Sequence, residues 1–212
     1  MSGLIGKKIG MTSVFDNIGR HIPVTVIEVE PMVITQIKTE ATDGYNAVQL
    51  ASFEKKEKRT TKALKGHFEK ASASPKKVVR EFRNFAADGL NLGDELKIDD
   101  VFTIGDIVDV VGVSKGRGFT GVIKRHNFSG VGDATHGQHN RERAPGAIGN
   151  ASDPARVFKG MRMAGQSGNT RKKMKNLSVA NIMPESNILL ITGSIPGPKG
   201  GYVEIHNKTS LN

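Results

Sequence analysis

The sequence contains no cysteine and no tryptophan. The first absence excludes disulfides, thiolate metal sites and cysteine nucleophiles, and it fits a reducing compartment. The second, with only nine Phe and two Tyr in 212 residues, leaves no aromatic-rich RNP1 motif of the kind that marks a base-stacking RRM sheet. Shape and phosphate contact are therefore expected to matter more than reading of a single strand. No apolar run approaches the roughly 20 residues needed to cross a bilayer, and no basic amphipathic helix with an aromatic face is visible, which argues against a membrane partner. The opening residues lack the apolar stretch of a secretory signal, so a cytoplasmic protein is expected.

Acidic residues are scarce in one stretch. Residues 112–175 hold 13 Lys+Arg against 3 Asp+Glu, whereas the other 148 residues hold 18 of each. A near-neutral body thus carries a basic insert. The insert also has 12 of the 25 glycines and few large apolar side chains, so it cannot bury enough surface to fold compactly by itself. A polyanionic partner is expected, and the sequence pI of about 9.8 suits nucleic acid.

At 212 residues, one domain with a long extension is the default reading. Residues 22–29 alternate Ile22, Val24 and Val26 with Thr25 opposite, the pattern of a half-buried strand. Strands are also expected over 33–38, 45–50, 78–85, 106–113, 177–182, 188–192 and 202–206. Many short strands without regularly alternating helices predict a mainly β fold, an antiparallel barrel or sandwich. Residues 54–77 are charged and helix-tolerant and predict a short surface helix, either a solvated face or an auxiliary RNA contact. The body is thus expected from residues 1–113, supplying most of the sheet, and 176–212. Residues 114–175 form an extended arm held at its base and used at its tip.

The arm's motifs admit several chemistries. Gly116-Arg117-Gly118-Phe119-Thr120-Gly121 fits G-x-G-x-x-G after a strand, but no long helix and second parallel strand follow, so a dinucleotide site is not supported. Glycines interleaved with Lys115, Arg117, Lys124 and Arg125 read better as backbone that must approach phosphates, with cations alongside. Asp133, His136 and His139 have the spacing of metal ligands but lack the metalloprotease pattern. In a basic, Gly-rich loop, His126, His136, Gln138 and His139 suit hydrogen bonding or stacking on exposed bases and riboses. Pro145, Gly146, Ile148, Gly149 and Asn150 keep the backbone narrow near the expected tip. On the return limb, Arg156, Lys159, Arg162, Arg171, Lys172, Lys173 and Lys175 form the second rail of a polyanion-binding arm. A nuclear localisation signal or a solvated surface are the other readings of the 171–175 cations.

Residues 102–125, with Asp109, Gly112, Ser114, Gly116, Arg117, Gly118, Gly121 and Arg125 in register, resemble the signature of the universal large-subunit ribosomal protein three family. G-K-K-I-G-M-T (6–12), I-P-V-T-V-I-E (22–28), D-A-T-H-G (133–137) and V-F-K-G-M-R-M-A-G-Q (157–166) are similar to its bacterial form. The resemblance spans essentially the whole chain. It implies a closed six-stranded barrel related to other translation-protein barrels, with a long central loop that runs towards the peptidyl transferase centre. It further implies direct binding near the 3′ end of the large-subunit (23S) rRNA, an early role in subunit assembly, contacts with neighbouring ribosomal proteins and no enzymatic activity.

On this resemblance the rRNA-binding set extends to Lys7 and Lys8. Arg141, Arg143, Pro145, Gly146, Ile148, Gly149, Asn150, Ala151 and Ser152 become the tip near the catalytic RNA. Asn150 stands where many bacterial members carry a glutamine that becomes N-methylated, and its shorter side chain argues against that modification. No cofactor, metal, membrane or small-molecule substrate is expected. A freestanding nucleic-acid chaperone would explain the charge but not a neutral barrel with one two-limbed arm. An enzyme would need a constellation that neither the glycine run nor Asp133, His136 and His139 supplies.

Overall fold

The computed structural model describes residues 3–16, 18–83, 85, 89–133 and 135–208. Asn84 of the expected 78–85 strand and Ala134 of the D-A-T-H-G motif lie outside the described residues. In chain order the elements are β1 (Gly3–Phe15), β2 (His21–Glu28), β3 (Met32–Lys38), α1 (Glu40–Asp43), β4 (Ala47–Glu54), α2 (Lys62–Lys70), β5 (Lys76–Arg83) and β6 (Glu95–Leu96). They continue with β7 (Ile107–Val113), β8 (Gly118–Thr120), α3 (Val122–His126), β9 (Gly165–Ser167), β10 (Arg171–Met183), β11 (Ile188–Thr192) and β12 (Tyr202–Asn207). The fold is mainly β, as the strand pattern predicts.

Six antiparallel strands close a barrel in the order β1-β12-β7-β10-β11-β2. Closure removes the unpaired edges that an open sheet would expose. In β12 the alternation is clean, with Val203, Ile205 and Asn207 buried and their neighbours partly exposed. Ile205 meets Val110 of β7 and Leu4 of β1 across the two ladders, and all three are fully buried. Each such side chain contributes roughly 1.5–3 kcal/mol by leaving water.

A second sheet, β5-β4-β3-β6, shares this core. Its Phe82 ring lies 5.2 Å from the ring of His206 on β12, and Phe53 lies 4.9 Å from Tyr202. β3 is buried at four consecutive positions, Met32 to Thr35, the burial of a strand covered on both faces. The strands over 33–38, 45–50 and 78–85 therefore belong to this second sheet. The expectation that residues 1–113 supply most of one sheet is corrected. The barrel takes β1, β2 and β7 from that part, and β10, β11 and β12 from beyond it. Alternation reports that a strand has a buried face but not which sheet it joins.

The expected surface helix is α2, between β4 and β5, preceded by a 3-10 turn at Glu57–Arg59. Thr61 caps it by accepting a hydrogen bond from the Leu64 N–H, and Phe68 anchors it in the body.

β1 was not anticipated. Gly3, Gly6, Lys7, Lys8 and Gly10 break its apolar alternation, yet packing requires the smallest residue at Gly6, where a Cβ would lie 2.3 Å from Ile27 Cγ2.

The chain divides into two compact units, residues 1–114 with 171–212, and residues 115–170. The interruption falls between paired strands, because Val113 on β7 is the cross-strand partner of Arg171 on β10. Residues 171–175, expected on the arm, are instead the first five residues of β10. Their sequence hides this because all of them are exposed, so no apolar face appears until Leu177.

Candidate nucleic-acid interface

The second unit is organised by a short stem. β8 pairs with β9 through Gly118↔Ser167, Phe119↔Gln166 and Thr120↔Gly165, and the Arg117 N–H extends this ladder to the Ser167 carbonyl at 2.8 Å. Gly168 has φ +71°, and any Cβ there would fall 2.0 Å from the Lys115 carbonyl oxygen, so only glycine closes this stem. α3 follows β8 directly and buries Val122. Asn127, in the left-handed conformation, ends it with its N–H on the Ile123 carbonyl. The glycine-rich motif thus leads into five helical residues, far short of the long helix of a dinucleotide fold.

Two of the expected RNA ligands brace this unit internally. Arg125 Nη1 donates to the Met163 carbonyl at 2.7 Å, and His126 Nε2 donates to the same oxygen at 3.1 Å. The outgoing and return limbs are joined there. Further out, the Val131 N–H donates to the Glu142 carbonyl, Thr135 bridges to Gln138, and a turn from Arg141 to Ala144 carries Arg141 and Arg143 on its outside. His136 and His139 are exposed, as is Asp133. Among the described residues no three His, Asp or Glu side chains converge on a metal-sized site. Pro145, Gly146, Ile148, Gly149, Asn150, Ala151 and Ser152 are all exposed.

The electrostatics of this unit are one-sided. Lys115, Arg117, Lys124, Arg125, Arg141, Arg143, Arg156, Lys159 and Arg162 are exposed, and among the described residues none forms an ion pair with a carboxylate. Only Asp133, Glu142 and Asp153 supply negative charge between residues 115 and 170. Apolar groups stand exposed among the cations: Phe119 is 79% exposed, and the Arg156 guanidinium lies 5.3 Å from the centre of the Phe158 ring.

The cations expected on the body behave differently. Lys7 lies opposite Glu28 in the β1–β2 ladder and pairs with it at 2.9 Å, and that carboxylate raises the Lys7 pKa. Lys8 is only 8% exposed, and its ammonium donates to the carbonyls of Ile195 and Gly197 at 2.9 and 3.3 Å. It pins the β11–β12 connection to β1, a structural role that the sequence did not suggest beside its expected contact with RNA.

On β10, Arg171 pairs with Glu204 of β12, and Lys173 pairs with Asp109 of β7 at 2.8 Å. Lys172 and Lys175 are exposed, with no carboxylate partner among the described residues.

Register explains the ladder of charge on β10. Lys173, Val111 and Glu204 are cross-strand neighbours and share a face, and Arg171 and Asp109 lie two residues along the same face. Glu204 also pairs with Arg80 of β5 at 2.8 Å. Its carboxyl is held at about 2, first by the His206 ring 3.8 Å away, against the burial that would raise it, and then by Arg171 and Arg80. The guanidinium contacts are shorter and always charged, so they are the firmer part of that effect. Burial would raise the Asp109 carboxyl, but Lys173 and the Asn176 N–H outweigh it and hold it below the usual range.

Sequence reasoning missed Phe119 and Gln166 as exposed partners on the stem, although Gly118 and Gly121 near Phe119 were visible. It also missed the partners of Arg171 and Lys173, which are remote in sequence.

Residues 57–203 match the family model described as ribosomal protein L3. The chain is 56% identical over 207 residues to the large ribosomal subunit protein uL3 of Salinibacter ruber (strain DSM 13855 / M31), covering 98% of this chain and 99% of that protein. With a match over most of its length to both, the chain belongs to the ribosomal protein L3 family.

Proposed function

We propose that the chain is a structural component of the large ribosomal subunit in the cytoplasm and binds its rRNA chiefly through residues 115–170. The observation that carries this reading is the set of nine exposed Lys and Arg in that unit with no carboxylate partner among the described residues. Unpaired cations on a glycine-rich backbone are what close approach to phosphates requires. The relative from Salinibacter ruber is named as a protein of the large ribosomal subunit, which supports the same assignment.

In this reading the body docks on one part of the 23S rRNA near its 3′ end and on neighbouring ribosomal proteins. The insert neutralises phosphates between packed RNA helices. Repulsion between those helices falls as condensed counterions are released, and the compact RNA core is favoured early in subunit assembly. The segment from Arg141 to Ser152 is the part directed towards the peptidyl transferase centre. The chain supplies charge and shape to that centre and no catalytic group of its own.

The test is co-sedimentation of the full chain with the large subunit across a salt series, beside a variant with Lys115, Arg117, Lys124, Arg156, Lys159 and Arg162 changed to Gln. Each phosphate contact contributes about 0.7–0.9 to the slope of log affinity against log salt, so the variant should lose about four to five of slope and leave the subunit at lower salt. Unchanged release would refute the insert as the electrostatic anchor.

A further inference from the structure

The β8–β9 ladder has one covered face and one open face. Thr120 is 7% exposed on the first. Phe119 and Gln166, directly paired across the ladder, share the second, where Phe119 is 79% exposed and Gln166 is also exposed. Among the described residues the Gln166 amide has no hydrogen-bond partner. Small residues stand nearby: at Gly118, just before Phe119, and at Gly121, two residues after it, nothing lies within 4 Å of where a Cβ would stand, and Gly165 and Ser167 flank Gln166. A planar group can therefore reach the Phe119 ring unobstructed.

From this placement we infer that Phe119 and Gln166 form a platform for one unstacked rRNA base, with the ring stacking on the base and the amide reading its edge. The inference rests on the proposed rRNA-binding role. RNA is the occupant that the charge favours, because exposed Arg117 lies two residues before Phe119 and the unit holds nine Lys and Arg against three acids. Directly opposed residues have Cβ atoms about 5 Å apart, which sets the amide beside a base stacked on the ring. A Gln amide offers a donor and an acceptor side by side, the complement of the adenine N6/N7 edge, so adenine is the expected base. Stacking explains why a large aromatic side chain is kept in the open on a two-stranded ladder, where it contributes nothing to a core.

The test uses the full chain and large-subunit rRNA, with affinity measured across a salt series for Phe119→Leu, Phe119→Tyr and Gln166→Ala. Phe119→Leu should weaken binding roughly 5- to 100-fold, the range of one lost stacking contact. Phe119→Tyr should bind like the parent, and Gln166→Ala should weaken binding about 5-fold or more. The salt slope should be the same in all three, since no charge is removed. Parent-like binding by Phe119→Leu, or equal losses in the Leu and Tyr variants, would overturn the platform. A fall in slope would also overturn it, by showing that the unit as a whole had been displaced. Failure of the rRNA role itself would show separately, as an unchanged slope when the insert's cations are neutralised.

Discussion

In the body, Lys8 is buried against two carbonyls, and Lys7, Arg80, Arg171 and Lys173 each face a carboxylate. In the insert, nine Lys and Arg stand exposed and none of them pairs with a carboxylate among the described residues. The same residue types thus serve two purposes, and the difference lies in the partners that the fold brings to them. On the closed barrel, Lys7, Arg171 and Lys173 meet acids delivered by neighbouring strands. On a glycine-rich hairpin with a stem of three paired positions, few strands are available to deliver any. Charge density along the sequence therefore marks the insert well but overstates its length, because Arg171 to Lys175 share its composition yet lie on β10, where Arg171 and Lys173 meet carboxylates.

The contrast breaks most visibly at Lys8. Replacing it with Met removes the ammonium and leaves two carbonyl groups without their donor. We expect the body to lose about 2–3 kcal/mol, read by denaturant unfolding, with rRNA affinity of the folded protein nearly unchanged. A variant of parental stability with weakened RNA binding would move Lys8 into the insert's class.

Glu204 gives a smaller effect with a defined pH window. Its folded carboxyl titrates at about 2, below the ordinary 4.5. The native state therefore holds this stabilisation in full above pH 4.5 and loses it as pH falls towards 2. Because Arg80 and Arg171 are more than half exposed, solvent screens the pairs and the contribution is about 1–2 kcal/mol. Glu204→Gln should lower stability by that amount at neutral pH and flatten the acid limb of the stability curve. A Gln variant with the parental acid limb would show that Glu204 does not set the acid stability.

The smallest expected effect on stability sharpens the comparison from the other side. Changing both Arg141 and Arg143 to Ala should shift unfolding by less than about 0.5 kcal/mol, since exposed loop cations contribute little to folding. Subunit assembly or active-centre geometry should nevertheless be impaired. Destabilisation comparable to that of Lys8→Met would show that the tip is part of a folded core.

Much of this was legible in the sequence, and the exceptions have physical reasons. Alternation exposed β2, β7, β11 and β12 because each presents one face to a core. It could not find β1, where Gly6 is demanded by close packing against Ile27 and Lys8 is satisfied by carbonyls of a loop remote in sequence. Nor could it divide strands between barrel and second sheet, because that choice is made by pairing over long separations. The basic insert was visible from charge and glycine content alone. The pairing of Arg171 and Lys173 on β10 could not be read because Glu204 and Asp109, their partners, lie in other strands. Phe119 and Gln166 were passed over because a single aromatic residue on a three-residue strand carries no periodic signal.

Val113 and Arg171 are opposed on one ladder, so a short turn can join β7 to β10 in place of residues 115–170 without opening the barrel. The most direct measurement compares this variant with the full chain for binding to large-subunit rRNA between about 50 and 200 mM salt, the range over which phosphate contacts show their salt dependence. The expected result is a folded barrel whose affinity has dropped and whose salt slope is shallower by about four or more. A folded variant that binds with the parental affinity and slope would contradict it and would assign recognition to the body.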